Sequence, residues 1–399
     1  GRGESTTDLA WDGQIVAYEM GEKIADGERF AREPKLVIAD IDVERVAQER
    51  RRLSNFRDAA AQEKHRTASF QRINFELGLA HEKAPLQRAL DRFPFVPDDP
   101  AKRDHDCYEA YNIQVSGLAK RIETTRSKRV MIGVSGGLDS THALLVIARA
   151  FDLLDLPRKS IVGVTMPGFA TSDTTKSNAW ALMTALGIDA REVSIAPLAQ
   201  RMLEDLNHPA ARGEPVYDVA YENVQAGLRT DYLFRLANTE GGFVVGTGDL
   251  SELALGWCTY GVGDHMSHYS VNASVPKTLI AHLVRWVAET GQIGGAGSDV
   301  LVSVLDTDIS PELVPGKSGD APEQKTESVI GPYELQDFNL YYTLRFGFSP
   351  SKVAFLAFHA WRDRTAGRWP DEAHAVKNEY GLAIIKRNLA IFLRRFFQT

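Results

Sequence analysis

Between residues 129 and 246, short apolar runs alternate with longer segments in which apolar positions recur at helical spacing. The apolar runs predict strands at residues 129–134, 160–166, 190–195 and 243–246. The periodic segments predict helices at residues 138–151, 174–186, 197–206 and 218–238. Strands that alternate with helices indicate an α/β fold, a doubly wound parallel sheet with helices on both faces.

The first part of the chain has a different pattern. Residues 14–19 and 35–40 predict two short strands that flank a glycine-containing turn. Residues 43–66 are highly charged and have few apolar positions, so they predict an exposed helix that acts as a linker. The repeated prolines at 93–100 exclude a helix there and indicate the boundary of the next unit. A long helical pattern follows at residues 108–125.

The C-terminal part of the chain, beyond residue 290, is mostly helical in pattern. Residues 311–331 are rich in Gly, Pro, Ser and charge, and they predict a mobile loop, which is either a lid or simple surface disorder. The last predicted helix, residues 382–397, has an apolar and a basic face. Such a face is more typical of core or subunit packing than of a membrane surface.

Composition narrows the class of protein. The 399 residues include 44% hydrophobic and 25% charged residues, which is ordinary for a globular protein. A formal net charge of −7 disfavours a nucleic-acid partner. Two cysteines exclude a disulfide scaffold and a cysteine-rich zinc site, and they fit a reducing cytoplasm. Apolar runs are too short to span a membrane, so no membrane partner is expected.

The most specific chemical signal is the sequence SGGLDS at residues 135–140, between a predicted strand and a predicted helix. Glycines allow backbone N–H groups to face an anion, and the helix adds its positive end at the same place. Asp139 would repel a phosphate unless a cation lay between them. The loop therefore predicts a site for a polyphosphate with a metal ion. No lysine follows the glycines, so it is not a Walker loop.

Two other loops are expected near this one. Residues 166–168 and 247–249 each follow a predicted strand directly, as the glycine turn does. Ligands bind at the carboxyl ends of the strands in parallel sheets of this kind. We therefore expect the three loops to meet at one pocket.

Several motifs together resemble a known family. SGGLDS resembles the pyrophosphate loop of the ATP pyrophosphatases, whose fold is adenine nucleotide α-hydrolase-like. Residues 221–229 (YENVQAGLR), 246–252 (GTGDLSE) and 274–278 (SVPKT) resemble motifs of the NAD synthetases. The resemblance extends from about residue 105 to the C-terminus. Gly227 stands where many relatives carry Arg, which puts one family contact in doubt.

The N-terminal part resembles a different domain. Residues 6–14 (TTDLAWDGQ), 29–30 and 39–42 are similar to the end of the nitrilase-type glutaminase domain of glutamine-dependent NAD synthetases. The resemblance implies an organisation in three parts. It consists of a glutaminase remnant at 1–45, a charged linker at 46–104 and the synthetase domain at 105–399. The glutaminase catalytic residues would lie upstream of Gly1, so we expect this piece to use ammonia alone.

The resemblance implies an ATP-dependent amidation. The carboxylate of deamido-NAD attacks the α-phosphate of ATP, pyrophosphate leaves, and ammonia converts the acyl-adenylate to NAD and AMP. The implied enzyme is a cytoplasmic, magnesium-dependent ligase of NAD biosynthesis, with ATP as co-substrate. Ammonia would come from glutamine in the full-length enzyme, and a homo-oligomer is expected.

Site residues follow from the motifs and the resemblance together. Asp139 and Glu252 are the expected Mg²⁺ ligands, and Asp139, Lys277 and Asp264 are the expected catalytic residues. The expected ATP-binding residues are Gly133, Val134, Ser135, Gly136, Gly137, Leu138, Asp139, Ser140, Arg229 and Thr247. The expected deamido-NAD-binding residues are Asn223, Glu252, Trp257, Cys258, Thr259, Tyr260 and Lys377.

Two other readings remain open from the sequence. The same ATP-pyrophosphatase core serves other acceptors, as in GMP synthetases and tRNA-modifying enzymes, although the acidic charge disfavours tRNA. The chain could also be a nucleotide-binding subunit that is inert without a glutaminase partner. ATP binding without turnover on free ammonium would distinguish that reading.

Overall fold

The central sheet consists of five parallel strands in the order β5-β4-β3-β6-β7. The structure, a computed structural model, describes residues 11–76, 86–171, 173–259, 263, 265–293, 295–306, 326–371 and 373–398. The sheet strands are β3 (Val130–Gly133), β4 (Ile161–Thr165), β5 (Asp189–Glu192), β6 (Phe243–Gly246) and β7 (Tyr269–Ser270). A separate antiparallel hairpin consists of β1 (Val16–Glu19) and β2 (Glu22–Asp26).

Helices surround the sheet and form the C-terminal part of the chain. Within the described residues they are α1 (Val43–Arg52), α2 (Ser54–Gln62), α3 (Lys64–Thr67), α4 (Pro100–Thr125), α5 (Leu138–Leu153), α6 (Asp173–Ala185), α7 (Ala196–Asp205), α8 (Val219–Glu240), α9 (Leu250–Leu255), α10 (Lys277–Glu289), α11 (Gly295–Leu305), α12 (Thr326–Ile330), α13 (Tyr333–Phe346), α14 (Pro350–Trp361) and α15 (Leu382–Gln398).

Alternation along β3 explains why helices cover both faces of the sheet. Val130 and Ile132 point to a core formed with α4, α5, α10 and α11. Met131 points to the opposite face and packs in a second core with Leu233 and Ala237 of α8. Successive side chains of a strand point to opposite faces, so a strand buried on both sides is apolar throughout. The predicted doubly wound α/β fold is confirmed.

The order of the strands reverses between β3 and β6. β3 pairs with β4 on one side, where Val130 lies opposite Ile161, and with β6 on the other, where Val130 lies opposite Phe243. In open parallel sheets a crevice forms at the carboxyl ends of the strands at such a point. The loops after β3 and β6 follow two adjacent parallel strands at this point.

A third cluster of apolar residues joins α9 to the C-terminal helices. Its fully buried members include Phe338, Trp361 and Phe392, from α13, α14 and α15. Leu255 of α9 packs in the same cluster. The apolar face of α15 is therefore part of the core. Within the described residues, no helix is both long and apolar enough to cross a membrane.

The N-terminal strand prediction was partly wrong. Residues 35–40 form no strand, and Leu36 and Ile38 are 85% and 65% exposed. β1 pairs instead with β2, through a tight turn in which Met20 and Gly21 both have positive φ. Such a turn matches the twist of two adjacent strands, so β1 takes the nearest segment as its partner.

Two helix predictions also need correction. The helix predicted from residue 108 begins eight residues earlier, because Asp99 Oδ1 accepts a hydrogen bond from Lys102 N (2.8 Å) and Pro100 suits the first turn. Residue 105, where the synthetase domain is expected to begin, lies within α4, and the division into domains stays a prediction. Residues 311–331 are not irregular throughout, since α12 occupies 326–330 with Ile330 fully buried. Residues 307–325 lie outside the described residues.

Candidate active site

The glycine loop lies between the end of β3 and the start of α5. Gly136 has a φ of +91°, and a Cβ there would lie 2.0 Å from the carbonyl oxygen of Thr175. Only glycine fits this approach to α6. Ser135 Oγ accepts a hydrogen bond from Gly137 N and lies 3.1 Å from Ser140 Oγ. The two hydroxyls therefore face one another across the turn.

The first turn of α5 is open to an anion. Gly137 is the N-cap of this helix, and no side chain of the described residues caps it. The first N–H groups of a helix have no partner within the helix and carry its positive partial charge. They are the feature by which helix N-termini bind phosphate.

The centre of the candidate site is the ammonium group of Lys277. Its Nζ lies 2.5 Å from Asp139 Oδ2, 2.8 Å from Asp249 Oδ2 and 2.9 Å from Glu252 Oε1. We call these four residues the lysine–carboxylate cluster. Lys277 and Asp249 are 4% and 0% exposed at their side chains, and Asp139 and Glu252 are each 22% exposed. Two carboxylates therefore border the solvent-accessible side of the cluster.

A capping box at α9 explains how Asp249 and Glu252 come together. Asp249 Oδ1 accepts a hydrogen bond from Glu252 N (2.8 Å), and Glu252 Oε2 accepts one from Asp249 N (3.4 Å). This reciprocal arrangement fixes both side chains at the start of the helix. The remaining oxygen of each carboxylate faces Lys277.

Charge and burial shift the pKa values in the cluster. Burial alone would lower the pKa of the Lys277 ammonium, but attraction to Asp139, Asp249 and Glu252 outweighs it and holds that pKa well above its usual value. Burial, followed by repulsion from Glu252, raises the pKa of Asp249 well above its usual value. The Lys277 side chain therefore stays positively charged. The cluster has three carboxyl groups but one ammonium group.

Asn272 joins the loops after β3 and β6. Its Nδ2 donates to the carbonyl oxygens of Asp139 and Thr247, each at 3.0 Å. On the other side of β3, a Cβ on Gly133 would lie 3.3 Å from Met166 Cε, so the loop after β4 lies close as well. The three loops expected to meet do lie together in the structure.

Other predicted site residues lie at varying distances from solvent and from these loops. Val134 is buried at the end of β3, whereas Leu138 is half-buried at the start of α5. Arg229 is half-buried and donates from Nε to the carbonyl oxygen of Met166 (3.1 Å), at the end of β4. Asn223 is half-buried on α8.

The segment after α9 carries the predicted aromatic contact. Trp257 is half-buried, with the guanidinium of Arg395 5.3 Å from its ring centroid. Cys258 and Thr259 follow it and are also half-buried. Lys377 is exposed. Tyr260 and Asp264 lie outside the described residues, so their predicted roles stay predictions.

Four residues of the site were missed from the sequence. Asp249, Asn272, Tyr333 and Asp337 have no role in the predicted set. Asp249 had a signal, because Asp-x-x-Glu before an apolar run is a capping-box pattern. The other three come from distant parts of the chain, and only the folded structure brings them to the cluster.

Tyr333 of α13 covers the lysine. Lys277 Nζ lies 5.3 Å from the centroid of its ring. The hydroxyl of Tyr333 is buried and has no hydrogen-bond partner among the described residues. Burial raises the pKa of Tyr333, so the phenol stays neutral.

Comparison with known proteins gives a consistent result. The family described as NAD synthase matches residues 110–338, more than half of the chain. A glutamine-dependent NAD(+) synthetase of Mycobacterium tuberculosis is 53% identical over 398 residues, which are 100% of this chain and 58% of that protein. A protein of the same name from Thermotoga maritima is 27% identical over 88% of this chain and 55% of its own length.

A solved structure supports the fold alone. The glutamine-dependent NAD(+) synthetase from Cytophaga hutchinsonii matches 97% of this chain and 55% of its own chain, with a TM-score of 0.54 and 14% sequence identity. The chain thus spans less than two thirds of the length of these relatives.

Proposed function

Because the chain belongs to the NAD synthase family, we propose that it catalyses the ATP-dependent amidation of deamido-NAD to NAD. Carboxylate attack on the α-phosphate of ATP forms an acyl-adenylate and releases pyrophosphate. Ammonia then attacks the activated carbonyl, and AMP leaves. The observation that carries the proposal is the lysine–carboxylate cluster beside an uncapped, glycine-rich helix start, at the crevice of a parallel sheet.

The proposed roles follow from charge. The N–H groups at the start of α5, with the Ser135 and Ser140 hydroxyls, bind the phosphates. Lys277 supplies a fixed positive charge where negative charge develops as pyrophosphate departs. Arg229 and Thr247 remain proposed ATP contacts. Alignment and charge stabilisation account for most of phosphoryl transfer, so these residues need to form no covalent bond with the substrate.

The residues present fit a magnesium ion. Asp139, Asp249 and Glu252 each offer a carboxylate oxygen, and these atoms lie within 4.8 Å of one another. Asp139 Oδ1 is buried and has no hydrogen-bond partner among the described residues. We propose that Asp139 and Glu252 hold the ion. When bound, it would neutralise phosphate charge, as oxygen-ligated Mg²⁺ does with nucleotides.

The proposed deamido-NAD contacts are Asn223, Glu252, Trp257 and the segment that follows it. Trp257 suits stacking on a pyridine ring, because its aromatic ring is flat and the residue is only half-buried. Lys377 is the least supported of these contacts, since it is exposed on a polar segment.

We further propose that residues 1–45 form the tail of a glutaminase domain and that ammonia reaches this site from glutamine. Apolar side chains there are unusually exposed, including Phe30 (64%) and Leu36 (85%). Large apolar side chains that remain in water favour a protein partner. We also propose that the protein acts as a homo-oligomer in the cytoplasm.

Product analysis tests the proposal. The chain is incubated with deamido-NAD, ATP, MgCl₂ and high ammonium, and nucleotides are separated by chromatography. We expect NAD, AMP and pyrophosphate in equal amounts. ADP with phosphate would reject the mechanism. Xanthosine monophosphate as the acceptor tests the GMP-synthetase-like alternative, and ATP binding without turnover would favour an inert subunit.

A further inference from the structure

Asp337 of α13 is a fully buried carboxylate with three hydrogen bonds. Its Oδ1 accepts from Ser251 Oγ (2.5 Å), and its Oδ2 accepts from Thr278 N (3.0 Å) and Thr278 Oγ1 (2.6 Å). The side chain is 1% exposed. Both oxygens thus point to two other helices, α9 and α10, and none of these bonds lies within α13.

These contacts replace a missing helix cap. Helix α10 begins at Lys277 after Pro276, and the N-cap Pro276 has no side-chain acceptor of its own for the first N–H groups. Its first N–H groups find partners elsewhere: Lys277 N donates to Ser251 Oγ (2.9 Å), and Thr278 N donates to Asp337. A carboxylate at a helix N-terminus is also favoured by the helix dipole. Asp337 therefore caps α10 from a third helix.

The same contacts fix the geometry of the cluster. Ser251 directly precedes Glu252, and Thr278 directly follows Lys277. By binding both neighbours, Asp337 holds the backbone of the lysine against the backbone of the carboxylate that lies 2.9 Å from its Nζ. Tyr333 lies one turn earlier on α13 and covers the ammonium. Helix α13 thus supports Lys277 at both its backbone and its charged end.

We propose that Asp337 is a positioning residue for the proposed reaction: it aligns Lys277 with Asp139, Asp249 and Glu252 without touching substrate. This inference rests on the proposed function. A displacement of about 1 Å in a catalytic group can lower a rate by about 100-fold. The clamp should therefore affect the chemical step more than the binding of deamido-NAD.

Three variants test the role. Asp337→Ala removes all three hydrogen bonds, and Asp337→Asn keeps an acceptor for Thr278 but cannot accept from every donor. Gln336→Ala is the matched control: Gln336 is 1% exposed on the same helix, but it donates to the carbonyl oxygens of Ile330 and Asn388. All three should lower thermal stability.

Only the Asp337 variants should impair the chemistry. With ammonium as the nitrogen source, we expect kcat to fall about 100-fold in Asp337→Ala and about tenfold in Asp337→Asn, with KM for deamido-NAD within about twofold of wild type. Gln336→Ala should keep kcat within about threefold when measured well below its unfolding temperature. Equal losses in Asp337→Asn and Gln336→Ala would overturn the proposal.

Hydrogen exchange separates this inference from the proposed function. In Asp337→Ala, the Thr278 amide at the start of α10 should exchange faster than in wild type, whereas in Gln336→Ala the faster exchange should lie near residues 330 and 388. If wild type produced no NAD, the proposed function would fail while the exchange result still reported on the clamp. Unchanged exchange at Thr278 in Asp337→Ala would reject the clamp itself.

Discussion

Replacing Lys277 by methionine tests the electrostatics of the cluster directly. Methionine keeps much of the length of the side chain but removes the ammonium that lies within 2.9 Å of three carboxylate oxygens. One oxygen from each of the three carboxylates lies within 4.8 Å of one from each of the others. At an effective dielectric constant of about 20, unit charges at such a distance repel by roughly 3–4 kcal/mol. Removing one partner of a buried ion pair typically costs about 3–5 kcal/mol.

The variant should regain stability from a divalent cation. In EDTA at pH 8, we expect Lys277→Met to unfold at a clearly lower temperature than wild type. Added Mg²⁺ or Mn²⁺ should raise that temperature. A free-ion concentration 100 times the dissociation constant should add about 2.7 kcal/mol to the free energy of unfolding. Wild type without ATP should respond much less, because its ammonium already lies between the same oxygens.

Thermal unfolding with and without MgCl₂ measures the effect, and electron paramagnetic resonance of free Mn²⁺ measures binding. Lys352→Met is the control, since Lys352 pairs with Asp42 (2.5 Å) and Glu44 (3.0 Å) away from this site. A Lys277→Met protein that binds no Mn²⁺ and whose unfolding temperature ignores Mg²⁺ would refute the assignment of these carboxylates as a metal site.

Three further predictions concern single residues. Asp139→Asn should lower ATP–pyrophosphate exchange by at least about 100-fold while circular dichroism stays unchanged; an equally active variant would remove Asp139 from the site. Gly136→Ala should lose exchange activity and stability, because φ is +91° and the new Cβ would lie 2.0 Å from Thr175 O. Gly187→Ala is its control: φ there is +68° but the space around the Cβ is open, so this variant measures backbone strain alone, about 1–2 kcal/mol. Burial raises the pKa of Glu334 to about 7, so its protonated form is favoured in the folded state. The raised pKa contributes to the free energy of unfolding below the unfolded pKa of about 4.5, and this stabilisation is lost as pH rises through 7. Relative to wild type, Glu334→Gln should therefore gain up to roughly 3 kcal/mol between pH 4.5 and 7 in urea unfolding, and parallel pH profiles would contradict this.

The central strands β3, β4 and β6 could be predicted closely, because they are buried on both faces. Strand β6 was predicted at the residues where it lies, and β3 and β4 to within two residues. Strand β7 was missed, since two residues carry no periodicity. The strand predicted at residues 35–40 failed because an apolar run forms a strand only when a neighbour is available to pair with it.

Residues of the site that belong to local motifs could be predicted, whereas residues whose partners lie far along the chain could not. Asp139 and Glu252 were found from motifs, and the capping box of Asp249 could have been found from the sequence. Asp337 could not, because it lies 59 residues from the helix start that it caps. A buried acid on a mostly apolar helix gives no indication of its partner until both helices are in place.

The charge of the cluster explains why a lysine is buried at the start of a helix, where the dipole disfavours it. Three carboxylates this close together would be unfavourable without a cation, and a bound metal ion is present only when its concentration permits. Lys277 supplies a covalently attached cation, so the carboxylates stay in place before any metal or nucleotide arrives. The remaining excess of carboxylate charge repels a free polyphosphate and favours one that enters with its own divalent ion. We therefore propose that the cluster remains folded without substrate and still selects the metal-bound form of ATP, an arrangement that neither stability nor catalysis alone would favour.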